Sequence, residues 1–268
     1  MGRPLLDNWA DVARPIIGMA HLLPLPGSAR YGGDFDSVRR RATADAMALA
    51  EGGVHAVMLE NFGDVPFYRG RAPAETVAAM TAIAAEIRSA CDLPLGVNVL
   101  RNDGRSALAV ALATGAQFIR VNVLCGARLT DQGIIEAIAH DLLRDRARLG
   151  AGHIRIMADV DVKHSSPLGA ARPIEDEVAD TIERGLADAV IVSGAATGRA
   201  TDLAKLQRVK AAAGDVPVFI GSGVTADTIA AQLALADGAI VGTALKRDGA
   251  AENQVDIERV RDMMRRVR

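Results

Sequence analysis

Short apolar runs return eight times along this chain, and most are followed by a longer Ala-rich stretch with the spacing of an amphipathic helix. The runs are PIIGMAHL (15–22), HAVMLEN (55–61), LPLGVNVL (93–100), QFIRVNVL (117–124), IRIMADVDVK (154–163), DAVIVSG (188–194), VPVFIGSG (216–223) and DGAIVGTAL (237–245). Aliphatic runs of this length read as buried strands. Stretches such as 36–51, 74–90 and 134–149 read as helices. Several begin with suitable first-turn residues: Pro73 before Glu75, Pro173 before Glu175 and Thr225 before Asp227. Strand then helix, eight times over, is the period of an α/β (β/α)8 TIM barrel. A doubly wound open sheet is the alternative, but it needs fewer strands and a reversal of strand order that the pattern does not show. No linker or shift of composition divides residues 1–268, so one barrel domain is expected.

Composition narrows the function classes. The 31 Lys and Arg nearly cancel the 33 Asp and Glu, and no basic block stands out, which argues against nucleic acid as a partner. No apolar run reaches membrane-spanning length, and MGRPLLDNWADVARP lacks the long apolar segment of a secretory signal. Cys91 and Cys125 have no metal-ligand spacing and read as ordinary thiols. The expectation is a cytoplasmic protein, with a homo-oligomer left open.

A barrel reading directs attention to the C-terminal strand ends, where such folds place reactive groups. Those ends carry His21, Glu60, Asn98, Asn122, Asp161 with Lys163, Ser193 with Gly194, Gly221-Ser222-Gly223, and Gly242 with Thr243. In ADVDVKH (158–164), side chains alternate between faces. Ala158, Val160 and Val162 should meet the helices, while Asp159, Asp161 and Lys163 should point inward, Asp159 deepest and Lys163 at the mouth. Asp159 suits a structural ion network. Asp161 and Lys163 suit catalysis, because a desolvated lysine beside carboxylates serves as base, electrophile or Schiff-base nucleophile. His164 falls on the opposite face.

Glu60 can move a proton, and the Gly- and Pro-bearing loop after it can close over a substrate. Asp64 in that loop is a weaker candidate that also reads as a turn residue. His21 is open to three readings: acid/base, ligand or hydrogen-bonded barrel histidine. Asn98 and Asn122 suit hydrogen bonds to a substrate, as Ser193 and Gly194 do. Gly221, Ser222 and Gly223, then Gly242 and Thr243, lie in the loops after the seventh and eighth strands, where barrels often hold a phosphate. A helix starting at Thr225 would add to that grip, and Lys246 could assist from the surface. The same glycines would also serve simple tight turns. No cofactor is required by the pattern; a divalent metal is compatible with the His, Glu and Asp set, but no strict ligand spacing calls for one.

The stretches IGMAHLLPLPGSARYGG (17–33), ENFGDVPF (60–67), GVNVLRND (96–103), RVNV (120–123), TDQG (130–133), ADVDVKHSSPLG (158–169), DAVIVSGAATG (188–198), GSGVTADTI (221–229) and DGAIVGTALKRDG (237–249) together resemble the BtpA/SgcQ family, in order and over most of the chain. Asp161 stands where a histidine is also familiar. The resemblance implies a TIM barrel akin to the phosphate-binding barrels. It implies less about chemistry: the family takes its name from a protein needed to accumulate photosystem I, other members sit with sugar-metabolism genes, and a nucleotide hydrolase has also been suggested. No family set of catalytic residues comes with it.

The residues favour an enzyme on a phosphorylated small metabolite, a sugar phosphate or nucleotide-derived ester, working as a lyase or isomerase. Glu60 and Asp161 would do acid/base work, with Lys163 as electrophile or base. The rival from another class is a non-catalytic assembly or biogenesis factor, for which no exposed apolar patch is evident in the sequence. A nucleotide hydrolase ranks third, since no GxxxxGK[ST] loop is present.

Overall fold

The computed structural model of the protein describes residues 4–194 and 202–267. The tail of the DAVIVSGAATG motif therefore lies outside the described residues. Eight parallel strands close into a barrel: β1 (Ile16–His21), β2 (Ala56–Glu60), β3 (Leu95–Asn98), β4 (Phe118–Val121), β7 (Arg155–Val160), β9 (Ala189–Val192), β10 (Val218–Ile220) and β11 (Gly238–Val241). Each pairs with the next, and β11 closes on β1 through Ile16 opposite Ala239. Each of the eight apolar runs supplies one barrel strand, and closure excludes the open doubly wound sheet.

Helices α1 (Phe35–Gly52), α2 (Ala74–Ala90), α3 (Gly104–Thr114), α4 (Ala139–Arg148), α5 (Ile174–Ala179), α6 (Leu203–Ala213), α7 (Ile229–Leu233) and α8 (Ile257–Val267) cover the outside. Local chemistry sets several of their starts. Asp34, Asp103 and Asp202 cap α1, α3 and α6 by accepting backbone N–H groups of the first turn. None of the helices is long and apolar enough to cross a membrane, among the described residues.

Alternation along the strands divides the core in two. Outward residues such as Val57, Val97, Ile119 and Val190 join the helices in the larger cluster. Inward residues Ile17, Met58, Phe118, Met157, Ile191, Phe219 and Ile240 fill the barrel. Its N-terminal end is plugged by Leu5, Leu6 and Trp9, whose ring lies 6.2 Å from both Phe118 and Phe219.

Two expected elements differ. The stretch 134–149 is not one helix: its first part is a strand, β6 (Gly133–Glu136), hairpinned to β5 (Ala127–Thr130), and α4 starts only at Ala139. Strand β8 (Ser165–Pro167) adds to β5's other edge, giving a three-stranded antiparallel flap beside the mouth. Gly133, at φ 95°, makes the tight reversal that a helix could not accommodate. Likewise no helix starts at Thr225. A turn in which Thr228 Oγ1 accepts the Thr225 N–H precedes the short α7.

Candidate active site at the barrel mouth

A cavity of about 720 Å³ opens at the C-terminal end of the barrel. His21, Glu60, Arg120 and Lys163 line it together with the glycine loops after β10 and β11 and, from α8, Glu258, Arg259, Asp262 and Arg266. Each of the first three sits one inward step above an apolar filler on the same strand: Met19 below His21, Met58 below Glu60, Phe118 below Arg120.

His21 is clamped on several sides. Its Nδ1 lies 3.0 Å from the Ala251 carbonyl, which can only accept, so Nδ1 carries the proton. Its ring stacks on Phe62 at 4.5 Å, and its Nε2 faces Glu60 Oε1 at 3.7 Å. Burial lowers its pKa to about 4; Glu60 and the Ala251 carbonyl oppose that shift, while Lys246 and Lys163 add to it. At neutral pH the ring is therefore an uncharged base with its Nε2 lone pair toward the cavity. Glu60 is oriented by Asn98, whose Nδ2 donates to Oε2 at 2.6 Å.

Asp159 is the hub of the second cluster. Arg120 grips it with two hydrogen bonds, Nε to Oδ2 at 3.0 Å and Nη2 to Oδ1 at 2.9 Å. Asn122 Nδ2 donates to Oδ2 at 2.6 Å, and the Ser193 hydroxyl reaches Oδ1 at 3.4 Å. Burial pulls the Arg120 pKa down, but the charge and hydrogen bonds of Asp159 outweigh it and the net shift is upward. Asn122 must turn its amide nitrogen to the carboxylate, which leaves its Oδ1 buried without a partner among the described residues. The Lys163 ammonium has no hydrogen bond or ion pair among the described residues. Burial lowers its pKa and Arg120 adds to the shift, against the pull of Glu60 and Asp159. Its backbone is fixed by Arg101, whose Nη2 donates to the Lys163 carbonyl at 2.8 Å.

The structure does not bring Asp161 to Lys163. The strand ends at Val160, and Asp161 adopts a left-handed backbone (φ 48°), so alternation fails there. Its carboxylate instead pairs with Arg128 of the flap and, at 2.5 Å, with Lys205 of α6, while its own N–H donates to Glu177. Burial raises the Asp161 pKa, but Lys205 and Arg128 outweigh it and hold the carboxyl below the usual range. Val162, expected against the helices, packs under the flap with Val123 and Ile135. Asp161 anchors the flap and lies outside the cavity lining.

Asn98, Asn122 and Ser193 are buried behind the cavity, bonded to Glu60 or Asp159, where direct substrate contact was expected. Gly194 donates its N–H to Ser222 Oγ at 3.1 Å. Gly221, Ser222, Gly223, Gly242 and Thr243 all line the cavity. A Cβ on Gly221 would lie 2.4 Å from Ile191 Cγ2 and 2.7 Å from Ser193 Oγ, so only glycine fits there. Asp64 is a buried loop pin that accepts from Leu25 N at 2.8 Å and from Asn61 at 3.0 Å; burial raises its pKa. Lys246 is not at the surface. It is fully buried against Asp45. Among the described residues no three His, Cys, Asp or Glu side chains gather as a metal site would require.

Lining residues that strand-end reading overlooks include Arg120, Phe62 and the charged α8 residues Glu258, Arg259, Asp262 and Arg266. Arg120 shares the inward face of QFIRVNVL with Phe118 and Asn122, so following that face one step below Asn122 finds it. Phe62 sits in a loop turn with no periodic signal.

A parallel eight-stranded barrel with its ionisable groups gathered at the C-terminal ends belongs, by architecture, with the TIM-barrel proteins. A family model described as the BtpA family matches residues 12–268, and the chain belongs to that family. It is 54% identical over 251 residues to an uncharacterised protein of Thermococcus kodakarensis, with 94% of each chain covered. It is 50% identical over 246 residues to the photosystem I biogenesis protein BtpA of Synechocystis, covering 92% of this chain and 85% of that one. Among solved structures, N-(5'-phosphoribosyl)anthranilate isomerase from Pyrococcus furiosus superposes with a TM-score of 0.57 over 95% of this chain and 98% of its own, at 16% identity, a likeness of fold alone.

Proposed function

We propose that this protein is an enzyme acting on a small phosphorylated metabolite, with proton transfer at the His21–Glu60 pair and Lys163 as electrophile. The observation that carries this reading is convergence. An uncharged imidazole, a carboxylate and a desolvated lysine come from three different segments into one cavity, whose lining is completed by glycine-rich backbone and by charged side chains of α8. His21 Nε2 takes a proton, and Glu60 at 3.7 Å stabilises the imidazolium that results. Lys163 polarises a carbonyl or forms a Schiff base with it. The loops at 221–223 and 242–243 are the natural seat for a phosphate, since glycine lets N–H groups approach an anion closely. The superposable isomerase is named for a phosphoribosyl compound, which supports the substrate class without identifying it.

The test is a thermal-shift and calorimetric screen of sugar phosphates, followed by borohydride reduction with any hit. Binding of a phosphate ester that its dephosphorylated form does not match, and that weakens in Gly242→Val, is the expected result. A screen in which phosphate adds nothing to affinity would remove the reading. Trapping of substrate on Lys163 would select the Schiff-base route, and turnover without trapping would leave Lys163 as a purely electrostatic electrophile.

A second reading has its own support in the name of the Synechocystis relative. Leu129 and Ile134 face each other across the flap and are both exposed, and Leu168, one residue past β8, is exposed too. An assembly role through that patch predicts that Leu129→Lys abolishes function in cells while Lys163→Met does not. The enzyme reading predicts the reverse.

A further inference from the structure

The segment 246–256, between the turn after β11 and α8, doubles back on itself. Lys246 bridges Val255 in antiparallel fashion, Arg247 N donates to Gln254 O at 2.8 Å, and Asn253 Nδ2 donates to Arg247 O at 3.0 Å. Helix α1 grips this loop from outside. Lys246 Nζ lies 3.3 Å from Asp45 Oδ2, and Asp45 Oδ1 accepts Val255 N at 2.8 Å. Arg41, one turn earlier, reaches Asp45 Oδ2 with Nε at 3.2 Å and the Glu252 carbonyl with Nη2 at 3.2 Å. From the loop's inner side, the Ala251 carbonyl accepts His21 Nδ1.

A buried ion pair is a poor way to gain stability, because desolvating two charges offsets much of their attraction. It does supply direction: both legs of the loop and one residue near its tip are fixed to a rigid helix. An unconstrained neutral histidine side chain prefers the proton on Nε2, which would leave His21 no lone pair facing the cavity. The bond at one ring nitrogen decides the state of the other.

We propose that Asp45, Lys246 and Arg41 are positioning residues, which hold the 246–256 loop so that the Ala251 carbonyl keeps His21 in its Nδ1–H form with Nε2 open to the cavity. The inference rests on the reading of His21 as the proton-transfer group, but the imidazole can be observed without a substrate. The charged groups around the ring are Glu60 from β2, Lys163 from the loop after β7, and Lys246 itself. Lys246→Met is a poor probe because losing that charge would change the histidine's affinity for protons directly. Asp45→Asn keeps the shape and the lysine.

Long-range ¹H–¹⁵N spectra of histidine-labelled protein at neutral pH read the tautomer. Wild type should show His21 as Nδ1–H. In Asp45→Asn that fraction should fall by roughly half or more as Nε2–H appears. Arg41→Ala should give a smaller fall. Val209→Ala removes buried volume on α6, far from the loop, and should lower stability without moving the tautomer. An unchanged Nδ1–H population in Asp45→Asn overturns the proposal, as does an equal loss in Val209→Ala. Should Asp45→Asn not fold, Arg41→Ala decides, and an unaltered tautomer there overturns it. A locked tautomer in a protein that binds no phosphorylated compound would end the enzyme reading and leave this one standing.

Discussion

The two ends of the barrel interior are built from the same strands, two residues apart, and follow opposite rules. Phe118, Met58, Met157 and Phe219 fill the lower part of the barrel, and the next inward positions on the same strands are Arg120, Glu60, Asp159 and Gly221. Below, shape decides: apolar side chains interdigitate under a tryptophan plug. Above, pairing decides: Asp159 has Arg120, Asn122 and Ser193, and Glu60 has Asn98 and His21. Two of the unpaired groups among the described residues, the Lys163 ammonium and the Asn122 Oδ1, stand where a ligand would enter or just behind it; the others, Ser28 Oγ and Arg128 Nε, lie in the loop after β1 and in the flap. The mouth is thus a satisfied network with few open valences, and those few are where function is to be sought.

The largest effect should come from breaking the upper network at its hub. Arg120→Met leaves Asp159 buried without its counter-ion and should destabilise the protein by roughly 3–5 kcal/mol. Denaturant unfolding checks this. Restoring neutrality with Asp159→Asn in the same chain should recover part of the loss, whereas two separable defects would simply add.

Acid should act on the mouth and spare the closed end. The folded His21 has its pKa lowered from 6.5 to about 4, so the unfolded chain binds the proton first as pH falls. The contribution of His21 is therefore fully present above about pH 6.5 and is lost progressively as pH falls toward about 4. At ~1.4 kcal/mol for each pH unit between those two values, this amounts to about 3 kcal/mol. Unfolding free energy measured across that window should slope downward in wild type and flatten in His21→Phe. Equal slopes would mean that the histidine is not held neutral.

These contrasts also mark how far the sequence could be read. Eight apolar runs announce a barrel because burial on both faces of a parallel strand is written in the strand itself. His21, Glu60 and Lys163 are legible as mouth residues because they end those runs. Asp161 is not, because a single left-handed residue after Val160 reverses the alternation that placed it beside Lys163. Arg128 and Lys205, which claim its carboxylate, come from the flap and from α6, and no spacing in the sequence links them to it. The flap reads as helix because Ile134 and Ile135 continue into an amphipathic pattern, and only the tertiary pairing with β5 makes them a strand. Lys246 reads as solvated because its partner, Asp45, lies on a helix 201 residues away in sequence.

Gly221→Ala probes the border between the two halves, and a smaller effect is expected. The added Cβ meets Ile191 and the Ser193 hydroxyl, so overpacking should cost roughly 1–3 kcal/mol. Because the Ser193 Oγ is one of the atoms the added Cβ meets, the strain should be relieved in part by Ser193→Gly, an outcome that thermal unfolding of the double variant reads directly.

Lys163→Met should have the least effect on stability and the opposite sign. The ammonium is desolvated, lies near Arg120 and has no partner among the described residues, so its folded pKa is depressed. A group of this kind is kept in the folded state at a cost, and a methionine of similar length fills the same space without it. The variant should gain roughly 0.5–2 kcal/mol in denaturant unfolding at neutral pH, while any ligand that depends on the ammonium is lost. Destabilisation instead would mean that Lys163 serves the upper network as a structural cation. It would then belong with Arg120, and the open valence at the mouth would have to be sought on the glycine side.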